Sequence, residues 1–128
     1  MQRFAESSEK PEARTVAGPE AIASLRAALK DVYCDEKVGD YILEIVFRTR
    51  EKNPRIQNGA SPRATLALNL AARGNALMHG RPYATPQDVK EVVHDVLRHR
   101  ILLTYEAEAE DVTSDMIIDS ILNEVPVP

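Results

Sequence analysis

Apolar residues recur at steps of three and four in five stretches of this chain, the spacing of amphipathic helices. Ile22, Leu25, Leu29 and Val32 mark a first helix from Pro19 to about Val32. A second opens at Asp35, a suitable N-cap, and lines up Val38, Tyr41, Ile42, Ile45 and Val46, with Leu43 and Phe47 widening the stripe. A face that broad predicts a central helix with two neighbours. It ends before Asn53-Pro54, because proline disfavours a helical residue ahead of it, and "NPRIQNGAS" follows as a loop.

The third helix runs from Pro62 to about His79, with Leu66, Ala67, Leu70, Ala71, Gly74, Leu77 and Met78 as its expected buried strip. Gly74, costly inside a helix, predicts close approach by another helix. Gly80-Arg81-Pro82 stops it. In "TPQDV", Thr85 is the cap of a fourth helix, Pro86 its first residue and Asp88 the partner of a capping box. Val89, Val92, Val93, Val96 and Leu97 follow in register. Beyond it, Leu103, Tyr105 and Ala107 alternate with polar residues, which suits a short extended piece. A fifth helix starts at Thr113 or Ser114 and buries Ile117, Ile118, Ile121 and Leu122. No strand ladder is evident, so the fold class is all-α, a small bundle of four to five helices over residues 19–128. Residues 1–18 are polar and aperiodic and read as a linker.

Composition adds limits. The chain has 128 residues, one domain's worth, with a net charge of −4, which argues against a dedicated nucleic-acid binder. No apolar run approaches the roughly 20 residues of a membrane span. A single cysteine, Cys34, cannot form an internal disulfide and suits a reducing, cytoplasmic setting. His79, His94 and His99 lack the spacing of a metal site, so no metal is expected. The acids from Glu106 to Asp111 lack the pattern of a calcium loop and read as a solvated face. No phosphate-binding loop or nucleophile elbow is present.

"GASPRATLAL", residues 59–68, is the one stretch that departs from ordinary helix design. Ser61 can cap and Pro62 suits the first helical position, but Arg63 then meets the positive end of the macrodipole. A cation there costs about 0.3–1 kcal/mol when exposed. Against an anion, the same dipole, free amides and guanidinium cooperate. The alternative is an arginine that lies along the bundle or pairs with a carboxylate.

"YILEIVFRTR", "NGASPRATLALNLAARGNAL" and "GRPYATPQDVKEVVHDVLRHRILLTYEAEAE", in that order from about Val32 onward, resemble the C-terminal lid of MoxR-family AAA+ ATPases. The resemblance implies that Arg63, after Ser61-Pro62, is the sensor-2 arginine, which reaches the phosphates of ATP held in a core domain. It implies that "MQRF" is the tail of that core and residues 5–18 the strap into the lid. It places Tyr41 and Ile42 toward the adenine, although helical register turns both into the core. ATP and Mg2+ would belong to the full-length protein, with no cofactor held by the lid alone. The implied partners are the protein's own AAA+ core, neighbouring subunits of a ring and an unidentified client, as for a chaperone-like remodeler. The core's catalytic motifs are not in this sequence, so a lid by itself should be catalytically silent. Two readings of other classes stand beside this one. The third and fourth helices could form a DNA-binding helix-turn-helix, though a long connection and Asp88, Glu91 and Asp95 count against it. A pure protein-interaction bundle would be favoured by an Arg63 buried against a carboxylate.

Overall fold

Three of the helix starts are set by side-chain caps anticipated from sequence. In this computed structural model, which describes residues 12–128, Asp35 accepts the Lys37 backbone N–H at 2.9 Å, and Thr85 and Thr113 accept those of Asp88 and Met116. The chain runs α1 (Pro19–Ala28), a 3₁₀ turn (Leu29–Asp31), β1 (Tyr33–Cys34), α2 (Glu36–Arg48), β2 (Ile56–Asn58), α3 (Arg63–Met78), β3 (Tyr83–Ala84), α4 (Pro86–Leu97), β4 (Leu102–Leu103), α5 (Tyr105–Ala109) and α6 (Ser114–Glu124). Residues 12–18 form no helix or strand; the expectations for residues 1–11 lie outside the described residues.

The helical bundle is as expected, with α2, α3, α4 and α6 packed round one core that holds Ile42, Ile45, Leu68, Val89, Val93, Leu97 and Ile118. Two miniature ladders, unforeseen in the sequence, tie its ends. β1 pairs parallel with β3, and β2 pairs antiparallel with β4. Each strand is two or three residues long, too short for alternation to register. The extended piece expected after α4 is only Leu102–Leu103; Thr104 then caps the short α5.

The largest correction concerns α3. Its buried residues are Ala64, Leu68, Ala72 and Ala76, whereas Leu66, Leu70 and Met78 are exposed and Ala67, Ala71, Gly74 and Leu77 only half-covered. The helix is apolar on two sides, so periodicity alone could not choose between them. The alanine side faces inward because it lets α4 come close with Val89, Val93 and Leu97, and the larger leucines are left outside. Leu43 and Phe47 of α2 are exposed as well, so its buried stripe is narrower than expected. In α1 nothing is buried, and Ile22 and Leu25 lie in the open.

Gly74 also departs from expectation. A Cβ there would sit 3.7 Å from the Leu29 side chain, an ordinary contact, so no close approach requires a glycine. Gly74→Ala should therefore stabilise the chain by about 0.5–1 kcal/mol through helix propensity and backbone entropy. A thermal melt of the 128-residue chain checks this; a lowered midpoint would mean that the helix surface cannot accept the methyl.

α3 ends as "GRP" suggested. Gly80 takes φ +72°, and the Arg81 and Gly80 N–H groups return to the carbonyls of Ala76 and Leu77 at 2.9 Å each. This double closure needs a left-handed residue at the glycine position. It turns the chain back so that α4 lies against α3.

Candidate functional site

Among the described residues only two polar side chains are buried, Thr49 and Asp88, and each closes a part of the fold that the apolar pattern leaves open. Thr49, just past α2, is fully covered. Its Oγ1 donates to the Val46 carbonyl at 2.7 Å and accepts the Ala60 N–H at 3.0 Å. The loop carrying Ala60 lies directly on the end of α2. At Gly59 a Cβ would fall 2.1 Å from the Thr49 carbonyl oxygen and 2.9 Å from the Arg50 Cα, so only glycine fits.

"GASPRA" can now be read residue by residue. Gly59 permits the backbone contact, Ala60 is small enough to be fully buried, and Ala64 is buried on the first turn of α3. Ser61 and Pro62 bridge between these anchors on the surface. Ser61 does not cap through its side chain, contrary to expectation. Pro62 already has helical dihedrals and takes the N-cap position itself, while the Ser61 backbone carbonyl accepts the Ala64 N–H at 2.9 Å.

Arg63 is the first residue of α3 and is exposed. Among the described residues it has no carboxylate partner and no hydrogen bond, as is also true of Arg26 and Arg50, whereas Arg48, Arg55, Arg81 and Arg98 pair with acids. The local ion pair that would make it a structural arginine is not formed. The positive end of the α3 dipole and the guanidinium share this exposed corner, an arrangement suited to an anion; the Ala64 and Thr65 N–H groups are already taken by the Ser61 and Pro62 carbonyls, at 2.9 and 3.1 Å, so the side chain would carry the contact. From there one side of α3 continues through Leu66 and Leu70, 73% and 54% exposed, and a groove brings Leu66 beside Leu43 of α2. The cation thus sits at the tip of an exposed apolar stripe.

Tyr41 and Ile42 are carried to the opposite side of the balance. Both are buried, Ile42 completely, so Ile42 offers no surface to a base. Burial raises the Tyr41 phenol above its usual range, and its hydroxyl has no partner among the described residues.

The second buried polar group, Asp88, was visible in the sequence only as a capping partner. It does complete the box, its Oδ2 accepting the Thr85 N–H at 2.8 Å. It also receives Arg81 on both oxygens, at 2.8 and 2.6 Å, and the Asn75 amide at 2.9 Å. Burial alone would push this carboxyl up, but the hydrogen bonds from Arg81, Thr85 and Asn75 outweigh it and hold it well below the ordinary carboxylate range. Asp88 therefore ties α3, the turn and α4 together. His79, Asp88 and Glu91 offer ligand atoms within 4.8 Å of one another, but the guanidinium of Arg81 already occupies Asp88 as the local cation. His94, on α4, meets Asp119 of α6 at 2.8 Å.

With this geometry in view, the comparisons with known proteins become specific. Residues 48–121 match a family model described as an AAA lid domain, a span that opens one residue before Thr49 and includes the whole 59–64 corner. The chain is similar to the chaperone MoxR1 of Mycobacterium tuberculosis, 36% identical over 126 residues, covering 92% of this chain and 33% of that one. It is also 36% identical over 75 residues to the protein MoxR of Methylorubrum extorquens, covering 57% of this chain and 22% of that one. A crystal structure of a candidate ATPase from Cytophaga hutchinsonii superposes on all of this chain with a TM-score of 0.85 at 33% identity, using 41% of its own length. The chain spans a third or less of the curated relatives it matches.

Proposed function

The chain belongs to the AAA lid domain family, as the lid of a MoxR-type AAA+ ATPase, and from that premise we propose that Arg63 is the lid's phosphate sensor. In the full-length protein it would contact the terminal phosphates of ATP, held with Mg2+ by the core. The observation that carries this reading is an exposed guanidinium without a local partner, at a helix N-terminus whose supporting loop is fixed on both sides. Ser61 and Pro62 serve by placing it: the proline sets the backbone at the helix start and adds no competing N–H. A cation aimed at a triphosphate neutralises charge that grows as the terminal phosphoryl group departs. It also lets the lid distinguish ATP from ADP, because only one of them presents the phosphate within reach.

An AAA lid works against an AAA core, and we read the Leu43, Leu66 and Leu70 face as the surface that meets the core holding the nucleotide Arg63 reads. It adjoins the arginine, and it would otherwise leave three large side chains in water. The double substitution Leu66→Ser, Leu70→Ser should leave the melting temperature of the 128-residue chain nearly unchanged, since both residues are exposed. In the full-length ATPase it should lower turnover several-fold and weaken ring assembly on sizing. Turnover and assembly at the parent level would remove this face from the interface. The adenine-side role of Tyr41 would need Tyr41 to come out of the core, and Ile42 is better read as core alone.

The parent protein would be a chaperone-like remodeler, as the name of the M. tuberculosis relative suggests for that protein. Among the described residues no helix is long and apolar enough to cross a membrane. The deciding experiment is ATP turnover by the full-length protein with Arg63→Ala, beside Arg50→Ala as a nearby exposed control. Unchanged turnover in the Arg63 variant overturns the reading.

A further inference from the structure

We infer that Thr49 is a positioning residue for Arg63, acting through the single hydrogen bond that fastens the 59–62 loop to the end of α2; this rests on the reading of Arg63 as phosphate sensor. Thr49 is fully buried, where a hydroxyl without a hydrogen bond would be costly, and both its donor and acceptor sides are used. Its proton is committed to the Val46 carbonyl at 2.7 Å. A lone pair of its oxygen is therefore held toward the loop, where the Ala60 N–H meets it at 3.0 Å. The Val46 carbonyl is one of the last in α2, so the bond also uses an acceptor from the helix end.

The consequence reaches Arg63 through three residues. Ala60 is pinned by Thr49, Gly59 lies against the Thr49 carbonyl with no room for a side chain, and Ala64 is locked in the core. Between these pins, Ser61 and Pro62 have little freedom, and Arg63 takes its place relative to α2 as well as to α3. Without the bond, α3 would still be packed by Ala64, Leu68, Ala72 and Ala76, but its entry would be held only at one end. A guanidinium must lie within a fraction of an ångström of its target to stabilise a transition state, so loosening its base costs rate before it costs fold.

The test uses the full-length ATPase, with Thr49→Val as the nearly isosteric variant that cannot accept a hydrogen bond. It should lower kcat about tenfold while KM for ATP stays within about twofold. Thr49→Ser, which keeps the hydroxyl, should recover most of the rate. In an Arg63→Ala background, Thr49→Val should cost nothing further, because the group it positions is gone. Should Thr49→Val fail to fold, Thr49→Ser and Thr49→Ala differ by the hydroxyl alone and carry the same comparison. A rate unchanged by Thr49→Val, or an equal fall with and without Arg63, overturns the positioning role. If Arg63→Ala itself leaves turnover intact, the sensor reading has failed, and that result is seen before any Thr49 variant is made.

Discussion

Replacing Arg63 by alanine in the full-length ATPase should lower kcat by about a hundredfold and leave KM for ATP within a few-fold of the parent. The split follows from when the contact matters. Ground-state ATP would be held mainly by the core, so the arginine adds little to binding. As the terminal phosphoryl group leaves, charge would accumulate where the proposed contact lies, so the loss of the guanidinium would fall on the transition state. Arg63→Lys should land between the two, since an ammonium keeps the charge but lacks the planar fork that grips two oxygens. The same substitution separates function from stability. Arg63 is exposed, without partners among the described residues, and opposes the α3 dipole. Arg63→Ala should thus leave the melting temperature of the lid unchanged or slightly raised. A lowered midpoint accompanied by unchanged turnover would assign Arg63 to the fold instead.

Arg63 stood out in the sequence because a cation at a helix N-terminus breaks a local rule, and such breaks are where a site is sought. Val38, Tyr41, Ile42, Ile45 and Val46 were legible for the opposite reason: they form the main apolar face of α2, and the pattern erred only at its margin, with Leu43 and Phe47. On α3 the pattern misled, because the choice between the Ala64–Ala76 side and the Leu66–Leu70 side belongs to α4 and to whatever covers the leucines. The supports of Arg63 were hidden for a further reason. Thr49 and Ala60 are eleven residues apart and joined by one hydrogen bond, a relation with no period. At Gly59 of "GASPRA" only the structure reveals a close approach, to the carbonyl of Thr49. Arg81 and Asp88 were likewise two unrelated punctuation marks, one after a helix and one opening the next.

That pair supplies the largest effect expected on stability. Asp88→Ala removes the acceptor of the Thr85 N–H, the Asn75 amide and both Arg81 contacts at once, from a side chain 1% exposed. Losing a buried, multiply bonded carboxylate and a capping box together should cost about 3 kcal/mol and lower the melting temperature by about 10 °C for a chain of this size. Arg81→Met, which leaves the carboxylate buried without its cation, should also destabilise. The sign of the pH dependence identifies the charge as the cause. The folded-state pKa of Asp88 is depressed, so its stabilisation is fully present above the unfolded value of about 4 and is lost as pH falls through the folded one. The gap between parent and Asp88→Asn should therefore be widest near neutral pH and narrow as the solution is acidified below about pH 4. Calorimetry of both chains at pH 7 and at successively lower pH reads this directly. A gap that stays constant on acidification would mean that Asp88 holds α3 to α4 by shape and neutral hydrogen bonds, and that the ion pair with Arg81 contributes nothing of its own.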